Sequence, residues 1–178
     1  MNPTQQSWNS KVFKRLWLSC AILAFAAVPP GGWTQYVTGP TTGATLRNAA
    51  AAAYTQAGIV AKGAGDWSRR AASAGYRADH LQQDFTNTQL QFFVLRQHFN
   101  ALGNLALQLG RPRADNAIAE LDAGLNTIAE LFTFLENEFN AGTLDHKTIV
   151  RTCRALEDAM KEWARELKKN SARVGLIS

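Results

Sequence analysis

A four-three spacing of small and apolar side chains runs along the chain from Leu46 to Leu109, with Thr88 as a polar exception. Steps of four and three residues average about 3.5, which places such side chains on one seam of a helix. The pattern predicts long helices that associate through one face. The seam consists of Leu46, Ala50, Ala53, Ala57, Val60, Ala64, Trp67, Ala71, Ala74, Ala78, Leu81, Phe85, Thr88, Phe92, Leu95, Phe99, Leu102, Ala106 and Leu109.

Glycines and a proline divide this pattern into helices. Gly63 and Gly65 disfavour a helix interior, and Asp66 is suited to cap a new helix. The sequence therefore predicts helices over about 44–62 and 66–110. One helix over 44–110 is the alternative, because the seam keeps its register across the glycines. Gly110 and Pro112 then end one helix and open the next.

Two more helices follow by the same spacing, over 112–140 and 145–169, and residues 171–178 form a tail. Asp145 is a suitable N-cap for the last helix. No strand-like alternation is found. We therefore expect an all-α fold over 44–170, an antiparallel three- to four-helix bundle with a long central helix. The two stripes are Ala114, Ile118, Leu121, Leu125, Ile128, Phe132, Leu135 and Phe139, and then Ile149, Cys153, Leu156, Met160, Trp163 and Leu167.

The N-terminal 28 residues have the layout of a secretion signal that forms an apolar helix. Three basic residues precede an uncharged run over 16–28, and Ala24 and Ala26 resemble a signal-peptidase site. Residues 29–43 are a flexible linker rich in Pro, Gly and Thr. We expect cleavage near Ala26 and a periplasmic or extracellular protein. The alternative is an uncleaved membrane anchor over 16–28.

Charge and cysteine content change once this segment is removed. The formal charge of the whole chain is +5, from 19 basic and 14 acidic residues. Without Lys11, Lys14 and Arg15 the charge is +2, and no cluster of basic and aromatic residues remains. This argues against a nucleic-acid partner. Cys153 would be the remaining cysteine, so an internal disulfide is not expected.

The chain lacks the spacings that catalytic and cofactor sites require. Its histidines, His80, His98 and His146, share no three- or four-residue spacing, and no Cys-x-x-Cys-His motif occurs. No phosphate-binding glycine loop or nucleophile motif is found either. We therefore expect that the protein is not an enzyme and that it binds neither a metal ion nor a cofactor.

Apolar side chains outside the seam occur between Leu90 and Leu109, including Leu105. They indicate either a central position within the four-helix bundle or a surface that binds a partner. The candidate partner surface consists of Leu90, Phe93, Val94 and Leu107.

These observations favour an exported structural, scaffold or protein-interaction module of the cell envelope. Its partner would be another envelope protein or a second copy, and membrane contact would come through an uncleaved N-terminus. The alternatives are a bundle that binds haem or another small ligand, and a membrane-tethered accessory subunit.

Overall fold

The computed structural model describes residues 43–110 and 112–170, which form four helices and contain no strand. The helices are α1 (Gly43–Ala71), α2 (Ala78–Gln108), α3 (Pro112–Ala141) and α4 (His146–Lys169). The predicted all-α bundle is confirmed for these residues, with four helices. The predicted signal segment, most of the linker and the tail lie outside the described residues. No helix among the described residues has the length and hydropathy needed to cross a membrane.

The helices pack in chain order around the core, each antiparallel to the next, and α4 closes the bundle against α1. Small side chains let α1 approach both neighbours closely. Gln56 on α1 reaches Gln91 on α2, and the Ser68 hydroxyl donates to the Val150 carbonyl of α4 at 3.4 Å. Helix α3 carries larger side chains and stands further from its neighbours.

The predicted break at Gly63–Asp66 is wrong, because α1 continues through it to Ala71 and α2 begins at Ala78. The two glycines lie where α1 meets its neighbours. A Cβ on Gly63 would lie 3.8 Å from the Thr88 hydroxyl of α2, and one on Gly65 would lie 2.7 Å from the Glu157 carboxylate of α4. These residues lack a side chain where helices approach, and they do not end the helix. The observed helices therefore differ from both predictions, the pair of helices over 44–62 and 66–110 and the single helix over 44–110.

The real break is the turn over 72–77, which contains the seam position Ala74. The Ser73 hydroxyl donates to the Arg70 carbonyl at 2.7 Å and holds the end of α1. At the start of α2 the Arg77 amide donates to the His80 ring at 3.3 Å. Ala74 is exposed, so the four-three spacing crosses this turn without forming helix contacts.

The other predicted helix ends lie within two residues of those observed. Gly110 has a φ of +58° after α2, a conformation that glycine adopts without steric cost. The Asp145 carboxylate accepts the Thr148 amide at 2.6 Å and caps α4. Both ends follow local rules that depend on the chemistry of one or two residues.

Aromatic side chains from the predicted seams form much of the core. The Phe85 and Phe132 rings lie 6.2 Å apart, and Phe92 stacks on Phe132 with centroids 5.1 Å apart. Phe99 meets Trp163 edge to face, and the Trp163 indole donates to the Leu121 carbonyl at 2.8 Å. This core joins α2, α3 and α4 and gives each a fixed position.

Substituting two helical glycines should have opposite effects. Nothing lies within 4 Å of a Cβ added to Gly58, so Gly58→Ala should stabilise the protein by about 0.5 to 1 kcal/mol. A Cβ on Gly124 would lie 3.0 Å from the buried Trp163 ring. Overpacking against this ring, which typically costs about 1 to 3 kcal/mol, should exceed the helix-propensity gain of about 1 kcal/mol, so Gly124→Ala should destabilise the protein by up to about 2 kcal/mol. Urea unfolding measures the change in the free energy of unfolding for each variant. A change of the same sign in both would contradict this prediction.

Candidate interaction surface

The predicted partner residues lie on α2, and the structure brings most of them together. Leu90 and Phe93 are 44% and 42% exposed, and Val94 beside them is half-buried. Leu107 is 63% exposed, but it lies about 21 Å further along the helix. Leu105, in contrast, is buried. A central position within the bundle is therefore wrong for Leu90, Phe93 and Leu107.

The exposed residues belong to a second four-three row on α2, which we call the outer seam. None of its side chains carries a formal charge. All are exposed except Gln97, which is half-buried. The outer seam consists of Gln83, Thr86, Leu90, Phe93, Gln97, Asn100, Asn104 and Leu107. Helix α2 thus has two rows with coiled-coil spacing, one in the core and one facing outward.

The solvent face of α4 is chemically different. Its exposed positions are almost all charged, and neighbouring residues form ion pairs such as Lys161 with Glu157 and Arg165 with Glu162, both at 2.6 Å. A charged outer face is usual for a helix with one side in water. The uncharged outer seam of α2 therefore distinguishes that helix from the charged, water-facing α4.

A pair of amide side chains fixes α2 against α1 beside this surface. The Gln56 amide of α1 donates to the Gln91 backbone carbonyl at 2.9 Å and to its side-chain oxygen at 2.7 Å. Gln91 adjoins Leu90, and Ile59, one helical turn after Gln56, is 45% exposed. Exposed apolar side chains therefore lie on both helices near one hydrogen-bonded contact.

The structure also contains a polar cluster that the sequence pattern did not predict, made of the buried Trp67, Tyr76 and Asp84 and the half-exposed Arg70. The Trp67 indole donates to the Tyr76 hydroxyl at 2.6 Å, and that hydroxyl donates to Asp84 at 3.2 Å. Arg70 donates to both carboxylate oxygens of Asp84, at 2.6 and 3.1 Å. The cluster ties the 72–77 turn to α1 and α2. In the sequence this cluster is indicated by Asp84, an acidic residue directly before the seam position Phe85.

Two titratable groups in and near this cluster, the Tyr76 hydroxyl and the Cys153 thiol, are held in their neutral forms. Burial, followed by the nearby Asp84 carboxylate, raises the pKa of Tyr76 and of the Cys153 thiol above their ordinary values. A thiol with a raised pKa is a poor nucleophile at neutral pH. Each member of the polar cluster already has a hydrogen-bond partner within it, so the arrangement suits a structural role.

His80 and His146 both lie beside the Tyr76 ring, each with its ring centroid 6.0 Å away, whereas His98 lies further along α2. The His80 ring accepts the Arg77 amide, and the His146 ring lies 3.2 Å from the Ala71 carbonyl. His98 is half-buried, and burial lowers its pKa. Among the described residues, no group of three or more His, Cys, Asp or Glu side chains could hold a metal ion.

A small apolar cleft lies between α2 and the end of α3. Trp67, Phe85, Leu135 and Phe139 line it, and Glu136, whose pKa burial raises, lies beside them. Its volume is about 10 Å³, room for one water molecule, whereas ligand pockets typically measure about 300 to 1,000 Å³. The hypothesis of haem or small-ligand binding gains no support from this cleft.

Comparison with known proteins adds no relative to these observations. No protein-family model matches the sequence, and searches of curated proteins and of solved structures find no significant match.

Proposed function

We propose that this chain is an exported helical-bundle protein that serves as a structural, scaffold or protein-interaction module of the cell envelope. The outer seam of α2 is the observation that carries this proposal. Cores of protein interfaces are depleted in charged residues and enriched in aromatic and large apolar ones. Leu90 and Phe93 lie near the middle of an uncharged row, as such an interface requires.

The contacts that hold α2 in place support the same function. The Gln56–Gln91 hydrogen bonds hold α1 and α2 together beside Leu90, and the aromatic core fixes α2 from its other side. A partner would therefore bind a preformed helix face and would have to order few side chains, which favours binding.

The signal-like segment over residues 1–28 supports export. With cleavage near Ala26 the protein is periplasmic or extracellular. Retention of residues 16–28 would instead make it a membrane-tethered accessory subunit, with the bundle presenting the same surface. The two forms differ in the mass of the protein recovered from cells, because cleavage removes the basic and apolar segment.

Photo-crosslinking in cells tests this function. A photoreactive phenylalanine analogue replaces Phe93 in one variant and Phe134 of α3 in another. The two side chains are matched, at 42% and 40% exposed. We expect an adduct in the envelope fraction at position 93 and none at 134, because the partner covers the outer seam. The mass of the uncrosslinked chain then shows whether residues up to about 26 have been removed.

Two outcomes would contradict the proposal. Equal crosslinking at positions 93 and 134, or none at 93, would remove the outer seam as the binding surface. Recovery of the full-length chain from the cytosol alone would remove the cell envelope as its location.

A further inference from the structure

We infer that the partner bound by the outer seam of α2 is a second copy of this chain, an inference that rests on the proposed function. Interfaces between different proteins use opposite charges to steer and select the partner. The outer seam offers no formal charge for such selection at any of its positions. An identical copy, however, can approach it without like-charge repulsion.

The spacing of the outer seam also suits self-association. Two helices with a four-three row interlock their side chains when they pair along it. In an antiparallel pair centred on Leu95, Phe93 faces Gln97 of the second copy, and Thr86 faces Asn104 of the second copy. In a parallel pair each residue faces its own copy. Amide and hydroxyl groups supply both donors and acceptors, so the polar layers can be satisfied in either orientation.

The size of the surface predicts how strong this association is. The outer seam spans about 36 Å of helix and has three large apolar side chains that are exposed. One helix pair buries less than the roughly 800 Å² per partner of a standard interface. An interface below the standard size is typical of weak, transient association, so we expect a reversible dimer.

Engineered disulfides test the second copy directly. The variant Thr86→Cys/Asn104→Cys is made in the full chain with Cys20→Ser, which leaves Cys153 buried. Both substituted positions are exposed and polar, so the fold should persist. Under mild oxidation the variant should form a covalent dimer in either orientation, because 86 then faces 104 or each position faces itself. The single variants, alone and mixed, distinguish the two orientations.

The matched control is Arg151→Cys/Lys169→Cys on α4, where two exposed positions have the same spacing on a charged face. We expect it to remain monomeric. In parallel, sedimentation should show that Phe93→Glu weakens self-association at least tenfold, whereas Phe134→Glu leaves it unchanged.

The outcomes separate this inference from the proposed function. No covalent dimer from the α2 variant, or equal dimer from both variants, would overturn the second copy as the partner. If crosslinking at position 93 in cells then captures a different protein, the proposed function survives without this inference. If crosslinking at position 93 captures no protein, both the proposed function and this inference are contradicted.

Discussion

Raising the pH from about 8 to about 11 should lower the free energy of unfolding by about 4 to 5 kcal/mol through Cys153 and Tyr76 alone. Both groups are buried, and burial raises the pKa of each above its ordinary value. The unfolded chain releases the two protons near pKa values of about 8.5 and about 10. Because burial raises both pKa values in the folded chain, we expect the folded chain to retain these protons over this pH range.

The sign of this effect follows from proton counting. Above about pH 8.5 the unfolded state binds fewer protons than the folded state, so stability falls as pH rises. The contribution is fully present below the ordinary pKa values and is lost progressively on the alkaline side. Each group contributes a slope of up to about 1.4 kcal/mol per pH unit.

Urea unfolding at a series of pH values measures this loss. In Cys153→Ala the loss between about pH 8 and about pH 11 should be smaller by about 3 kcal/mol, and in Tyr76→Phe by about 1.4 kcal/mol. Lysines and other groups titrate in the same range, but they contribute equally to wild type and variants. A Cys153→Ala slope identical to that of the wild type would show that the thiol ionises freely in the folded protein.

Most of the fold could be predicted from the sequence because the seams are long and regular. Seam residues such as Leu95, Leu125 and Leu156 are buried as predicted, and Gly110 and Asp145 act at helix ends by local chemistry. These features depend on a residue and its near neighbours. Their physical causes can therefore be read without knowing the tertiary structure.

The break between α1 and α2 could not be predicted because tertiary packing decides it. Intrinsic propensity disfavours Gly63 and Gly65 in a helix, yet both lie where α1 approaches another helix closely. The turn over 72–77 is held by Tyr76, whose partners Trp67 and Asp84 lie on either side of it. Its position therefore depends on contacts between helices.

The candidate surface was predicted only in its apolar part. Leu90 and Phe93 were found because they are apolar and lie off the seam, and both are exposed. Residues such as Thr86 and Asn104 gave no signal, because uncharged polar residues are also common on solvated helices. These residues indicate an interaction surface only together, as one uncharged row, and that row is recognisable because the structure shows α2 exposing it.

Replacing Asp84 with alanine should lower the free energy of unfolding by about 3 kcal/mol. The carboxylate is buried and accepts hydrogen bonds from the Tyr76 hydroxyl and from two guanidinium nitrogens of Arg70. Breaking a buried pair by removing one partner typically costs about 3 to 5 kcal/mol, because the other group stays unpaired. Arg70 is half-exposed and can be rehydrated, which places the expectation at the lower end of that range.

Asp79→Ala is the matched control, because this acid lies five residues earlier on α2 and is mostly exposed. Its ion pair with Arg77 spans 3.6 Å at the surface, so the loss should stay below about 1 kcal/mol. A double-mutant cycle then isolates the hydrogen bond between Asp84 and Tyr76, with Tyr76→Phe as the second change. The two substitutions should cost less together than the sum of their separate costs.

Similar losses for Asp84→Ala and Asp79→Ala would show that the polar cluster does not hold the turn. The expected difference of about 2 kcal/mol or more would instead show that the cluster stabilises the turn between the end of α1 at Ala71 and the start of α2. Because α2 begins directly after this turn and carries Asp84, we expect the cluster to contribute to the rotation of α2 about its axis. That rotation directs one seam to the core and exposes the other, so the loss of Asp84 should weaken partner binding together with stability.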